Sequence, residues 1–159
     1  MSLCNCNPCD RPIHPRPCPS REKIDFYAQY GVLGDPPSGS DLPFLTLFQE
    51  TDKIHLNGDT EIVLAPGYLY LIDYIFLAVP EANGYMQIVP RINGVLKLLY
   101  SFFAPANSQE KVASASGSFT TNAASEAEAL LSFHLTYPPT VRNIDISGAV
   151  SVTPLLKIG

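Results

Sequence analysis

The chain has 159 residues, 46% of them hydrophobic and 16% charged, with a net charge of −5. That length fits one domain of ordinary size plus a short extra segment, and it is enough to bury a real core. A charged fraction this far below the usual quarter, with no basic cluster, leaves no electrostatic footprint for nucleic acid or an anionic membrane, so neither is expected as a partner.

Residues 1–21 stand apart. Cys4, Cys6, Cys9 and Cys18 interleave with Pro8, Pro12, Pro15, Pro17 and Pro19, and Leu3 and Ile13 are almost the only large apolar residues there. Proline at this density precludes helix and ladder alike, so a flexible, extended N-terminal arm is expected, with residues 22–159 as the domain. Met1-Ser2-Leu3-Cys4-Asn5-Cys6 lacks the basic start and apolar core of a secretory signal, which predicts synthesis in a cytoplasm. No apolar run reaches the roughly 18 residues that a membrane-spanning helix needs.

From Ile24 onward the texture is that of short strands between turn signals. Phe26–Tyr30 reads as a first strand and Asp35-Pro36-Pro37-Ser38-Gly39-Ser40 as a loop. Phe44–Phe48, Lys53–Leu56 and Thr60–Leu64 are further short strands, with a tight turn at Asn57-Gly58. The central element is Tyr68–Val79, opened by the turn Pro66-Gly67 and stopped by Pro80. Its aromatic and branched composition favours strand over helix. Tyr68, Tyr70, Ile72, Tyr74, Phe76 and Ala78 then point one way, and Leu69, Leu71, Asp73, Ile75, Leu77 and Val79 the other. A half-buried antiparallel strand alternates apolar with polar, yet this one carries Asp73 as its only charge. Both faces are therefore expected to be covered, one by the core of the domain and the other by a second copy of the chain.

Tyr85–Ile92 and Val95–Phe103 flank Asn93-Gly94, a strong two-residue hairpin signal. The small polar residues of 104–126 leave room for one weak edge strand near Ala115–Thr120, and a loop leads into a strand at Ala129–Tyr137. Pro138-Pro139 turns the chain, Val141–Ile146 is a strand, and Ala149–Ile158 closes the domain. About ten short antiparallel strands at this spacing predict an all-β sandwich of the jelly-roll type.

Candidate chemistry is sparse. The spacing of Cys4, Cys6, Cys9 and Cys18 does not match a structural zinc site, which places two cysteine pairs on separate turns. Exposed thiols on a flexible arm suit disulfides between subunits better, since exchange needs access and reach. His14, His55 and His134 have no close-spaced metal-ligating partner, and no nucleophile motif is present. Asp52, Asp59 and Glu61 surround a turn without the spacing of a calcium loop. Glu126 and Glu128 read as exposed charge, and no glycine-rich phosphate loop occurs. Neither catalysis nor a cofactor or metal is expected. Tyr68, Tyr70, Tyr74, Phe76, Leu98, Tyr100 and Phe102 are expected to fill the core and the subunit interface, where aromatic rings contribute most to burial.

The order of these elements carries a resemblance. An opening aromatic strand is followed by Leu64-Ala65-Pro66-Gly67-Tyr68-Leu69-Tyr70-Leu71-Ile72-Asp73-Tyr74, then Ile92-Asn93-Gly94-Val95, then a closing Ala149-Val150-Ser151-Val152-Thr153. Over residues 24–159 this resembles the C-terminal domain of the collagen-like exosporium glycoproteins of spore-forming bacteria (the BclA type). Gly67, Tyr68 and Asp73-Tyr74 are the best-marked piece. That domain is similar to the jelly rolls of tumour necrosis factor and the complement globular heads. The resemblance implies a tight homotrimer with a structural place on a spore surface, as exosporium or appendage. Synthesis in the mother-cell cytoplasm without a signal peptide is part of that implication. The family's Gly-x-y stalk is not found here, and the cysteine arm stands in its place. In a reducing mother cell the thiols would stay free and then oxidise after lysis.

The expectation is a non-enzymatic structural protein: a homotrimer whose arms are cross-linked through cysteine, its partners being itself and other spore-surface proteins. The alternative is a trimeric lectin-like or receptor-like binding module.

Overall fold

The computed structural model describes residues 24–80, 84–106, 112–122, 127–142 and 144–158. The arm and its four cysteines lie outside the described residues.

Eleven strands run β1 (Ala28–Gly34), β2 (Leu45–Gln49), β3 (Ile54–Asn57), β4 (Glu61–Leu64), β5 (Tyr68–Val79), β6 (Tyr85–Ile92), β7 (Val95–Leu96), β8 (Phe102–Pro105), β9 (Ala113–Asn122), β10 (Ala129–Thr136) and β11 (Asp145–Lys157). A 3-10 turn, Leu98–Tyr100, separates β7 from β8. They form two antiparallel sheets, ordered β2-β1-β11-β5-β9 and β3-β4-β10-β6-β7, with β8 also on β6. This is the expected all-β jelly-roll sandwich.

The pairing of β5 with β11 forms the spine of the first sheet, in register from Asp145 opposite Val79 to Lys157 opposite Tyr68. The register slips once, between Pro154 and Leu156. Proline has no N–H to give the ladder, so a bulge there lets the strand continue past it. Between the sheets, Tyr30, Tyr70, Phe76 and Phe133 are among the largest fully buried side chains. Phe133 of the second sheet meets Tyr74 and Phe76 of the first edge-to-face, at ring separations of 5.3 and 5.6 Å.

Several elements differ from expectation. Val95–Phe103 is not one strand, because the chain leaves the ladder at Lys97 and coils locally. The Tyr100 N–H donates to the Lys97 carbonyl at 2.9 Å, and the Ser101 N–H and Oγ both donate to the Leu98 carbonyl. A serine that satisfies the backbone of its own turn competes with strand pairing. The two expected strands after Pro139 are a single β11, with Gly148 inside it. The expected weak strand near residue 115 is the ten-residue β9 at a sheet edge. The first strand begins two residues later than expected and runs on to Gly34.

Candidate self-association surface

The two side-chain rows of β5 have different fates. Tyr70, Ile72, Tyr74, Phe76 and Ala78 are buried in the core, whereas Ile75, Leu77 and Val79 stand on the outer face of the first sheet, Ile75 at 60% exposure. Strand register assembles the rest of that face. Leu33, Ser147, Leu77 and Ser114 form one cross-strand row, and Gly31, Ala149, Ile75 and Ser116 the next. Leu47 leans over Gly31, where an added Cβ would sit 3.2 Å from its side chain. The row beyond is polar: Gln29, Ser151, Asp73 and Ser118. Tyr27 and Ser151 share a hydrogen bond of 3.2 Å, and Gln29 donates to the same hydroxyl at 3.4 Å. Leu33, Gly34, Leu77, Val79, Asp145 and Ser147 border a shallow open depression of ≈ 270 Å³ at one end of the face.

A second apolar feature is a ridge at the edge of the sandwich beside β9. Leu98 and Leu99 project from the 3-10 turn at 68% and 95% exposure. The ridge is held from beneath. The Tyr74 side chain crosses Gly117, where a Cβ would lie 2.6 Å from the phenol oxygen, and its hydroxyl donates to the Tyr100 carbonyl at 3.1 Å. Tyr100 in turn stacks on Phe119, with ring centres 4.6 Å apart and planes within 9°. Burial raises the Tyr74 phenol above its ordinary pKa, which keeps the hydroxyl a donor.

Of the residues singled out from sequence, Tyr70, Tyr74 and Phe76 lie inside the sandwich. Tyr68 is half-buried at its end, edge-on to Phe26 at 5.0 Å, and its hydroxyl accepts from Lys53. Phe102 is half-buried against the core, while Leu98 and Tyr100 are exposed on the ridge. Sequence reasoning separated the two rows of β5 but not the contributions of Leu33, Leu47 and Leu99, which distant strands and a turn bring to the surface. Burial pushes the Tyr30 phenol up to about 12, and its hydroxyl is buried without a hydrogen-bond partner among the described residues. Burial raises the Tyr70 phenol as well, and its hydroxyl donates to the Ala65 carbonyl.

A polar cluster on the second sheet went unforeseen. Asp41 accepts hydrogen bonds from Arg91 at 3.0 and 3.1 Å, from Ser132 at 2.9 Å and from His134 Nδ1 at 2.8 Å. Burial by itself would raise the Asp41 carboxyl. The bonds from His134, Ser132 and Arg91, together with the guanidinium charge, outweigh it and hold the group below the ordinary carboxylate range. Serine, histidine and aspartate meet here, but the Ser132 hydroxyl donates to the carboxylate rather than to the imidazole. A nucleophile–base pair needs the opposite arrangement. Among the described residues no group of histidine, cysteine, aspartate and glutamate is placed to hold a metal ion. His55 bonds instead to the backbone carbonyl of Asp52.

No protein-family model matches the chain, and no curated protein matches it in sequence. Solved structures do match in shape. The vertex protein P5 of PRD1 is similar over 86% of this chain and 99% of its own, with a TM-score of 0.53 at 12% identity. Murine APRIL is similar over 78% of this chain and 98% of its own, with a TM-score of 0.48 at 8% identity. At such identities the likeness is one of fold alone, an antiparallel jelly roll.

Proposed function

We propose that the chain is a non-enzymatic structural protein that assembles with copies of itself through the outer face of its first sheet. The observation that carries this is the run of exposed aliphatic side chains there, Leu33, Leu47, Ile75, Leu77 and Val79, set among serines, glycine and alanine. Apolar area of this extent on one face marks an association surface. The ridge of Leu98 and Leu99 is a second apolar surface of different shape. A face-to-face dimer covers only the first, and it brings two acidic side chains, one Asp73 from each copy, into a single contact. A head-to-tail contact, ridge on face, covers both at once and closes into a ring when the rotation per copy allows. Three copies is the closure implied by the resemblance to exosporium domains, and that resemblance also supports the spore-surface location. The cysteines of the arm are the means by which rings are cross-linked.

Light scattering after size exclusion, in reductant, tests the contact. The wild type is expected at three times the chain mass, and Ile75→Lys with Leu77→Lys at the mass of one chain with its fold retained. A monomeric wild type overturns the proposal.

A further inference from the structure

Among the described residues, Asp73 is the mid-strand charge of this face, in the polar row that adjoins Ile75. Asp145, which borders the depression, lies at the end of its strand, where water reaches it in any assembly. Asp73 stands mid-strand between β11 and β9, opposite Ser151 and Ser118. A copy seated over Ile75 and continuing along β5 covers Asp73 as well, because the two are a single pleat repeat apart, about 7 Å. A carboxylate taken out of water without a cation is strongly destabilising. The contact must therefore bring one.

Among the cations of the described residues, most are committed elsewhere. Arg91 is held by Asp41. Lys53 donates to the Tyr68 hydroxyl and lies over the Phe26 and Tyr68 rings. Lys157 has an interaction of its own, and Arg142 sits in the loop before β11. Lys97 opens the leucine ridge itself, as the residue before its turn. Its backbone N–H is tied to the Pro90 carbonyl at 2.8 Å, which fixes the root of the side chain.

We infer that Lys97 of one copy pairs with Asp73 of the next, and that this pair sets the register of ridge on face. It rests on the self-association proposed above. Lys97 is two positions before Leu99, and Asp73 two before Ile75. With Leu99 seated beside Ile75, the long flexible side chain of Lys97, rooted at the start of the same turn, has the reach to carry its ammonium to Asp73. Ser118 and Ser151 stand opposite Asp73 on the neighbouring strands. The pairing also excludes the face-to-face arrangement, in which the same ridge and its cation stay in solvent.

The test is a charge-swap cycle read by sedimentation equilibrium in reductant. Asp73→Lys and Lys97→Asp are each expected to weaken association by at least about tenfold, and the double variant to return to within about threefold of wild type. Asp145→Lys, a reversal at the rim, is expected to change association by less than about threefold. Folding of each variant is checked by its thermal transition, and Asp73→Asn with Lys97→Met supplies an uncharged pair that is also expected to associate. An associating wild type whose swap does not recover, or whose single reversals are silent, overturns the pairing alone. A monomeric wild type overturns both the pairing and the self-association beneath it.

Discussion

Asp41 concentrates three hydrogen-bond donors on one carboxylate, and its depressed pKa makes it a source of acid sensitivity. A carboxyl whose pKa is lower folded than unfolded contributes stability that is complete above the unfolded value, about 4. That contribution is lost as the pH falls through the folded value. Arg91 is 33% exposed on its side chain and Asp41 19%, so water screens part of the interaction. Asp41→Asn is expected to destabilise the domain by about 1–3 kcal/mol at neutral pH. It should also flatten the dependence of the thermal midpoint on pH below about 4. Calorimetry across that range checks both, and an unchanged acid slope in the variant removes Asp41 as its source. His134 thus has a structural partner in the Asp41 carboxylate.

At the scale of elements, two glycines decide how closely strands and side chains approach. At Gly148 an added Cβ would run into the Ile75 carbonyl oxygen and come within 2.7 Å of the Phe76 ring, so β5 and β11 require the missing side chain. Gly148→Ala is expected to cost about 1–3 kcal/mol by overpacking, seen as a lower midpoint in denaturant. At Gly117 the cost is more specific, because the obstructed group is the Tyr74 hydroxyl that holds the ridge. Gly117→Ala is expected to detach the 3-10 turn and weaken self-association beyond its effect on stability. Tyr74→Phe, which keeps the ring and removes only the hydrogen bond, should cost about 1 kcal/mol. Comparing the association constants of the two variants at matched stability separates loss of the ridge from general unfolding. These positions also show what the sequence makes legible. Pro66-Gly67 and Pro80 bracket β5 with no error, and Asn93 and Gly94 adopt the positive φ values of 52° and 75° that a two-residue hairpin demands. Such signals are local. Gly148 reads locally as a break between strands, because its reason for being glycine lies on β5. Asp41 and His134 are 93 residues apart, and only the pairing of a loop with β10 unites them. The ridge is a departure from strand alternation closed by hydrogen bonds within its own turn, to the Lys97 and Leu98 carbonyls.

For the whole molecule, the geometry of the chain ends bears on how copies are joined. Phe26, near the start of the described chain, packs on Tyr68, and the Ile158 N–H donates to the Gly67 carbonyl at 2.7 Å. Both ends of the described residues thus meet at the turn that opens β5, at one end of the sandwich. In a ring closed by rotation every copy presents this end to the same side, so every set of cysteines starts from one pole. Cys18 precedes Ile24 by six residues, and its tether is at most about 20 Å long. Cys4 is tethered by more than three times that length, enough to reach beyond its own ring. In the proposed assembly, contact through the sheet faces and contact through the thiols are therefore separate layers, one set by buried apolar area and the other by redox state. Replacing Cys4, Cys6, Cys9 and Cys18 together by serine is expected to leave the mass in reductant unchanged and to abolish the larger species that wild type forms on oxidation. The converse variant, Ile75→Lys with Leu77→Lys, should still form disulfide-linked species on oxidation, but of chains rather than rings. Non-reducing electrophoresis beside light scattering reads the two layers independently. Oxidised larger species that persist in the serine variant would place the higher assembly on another surface, and the ridge and face would then have to carry both.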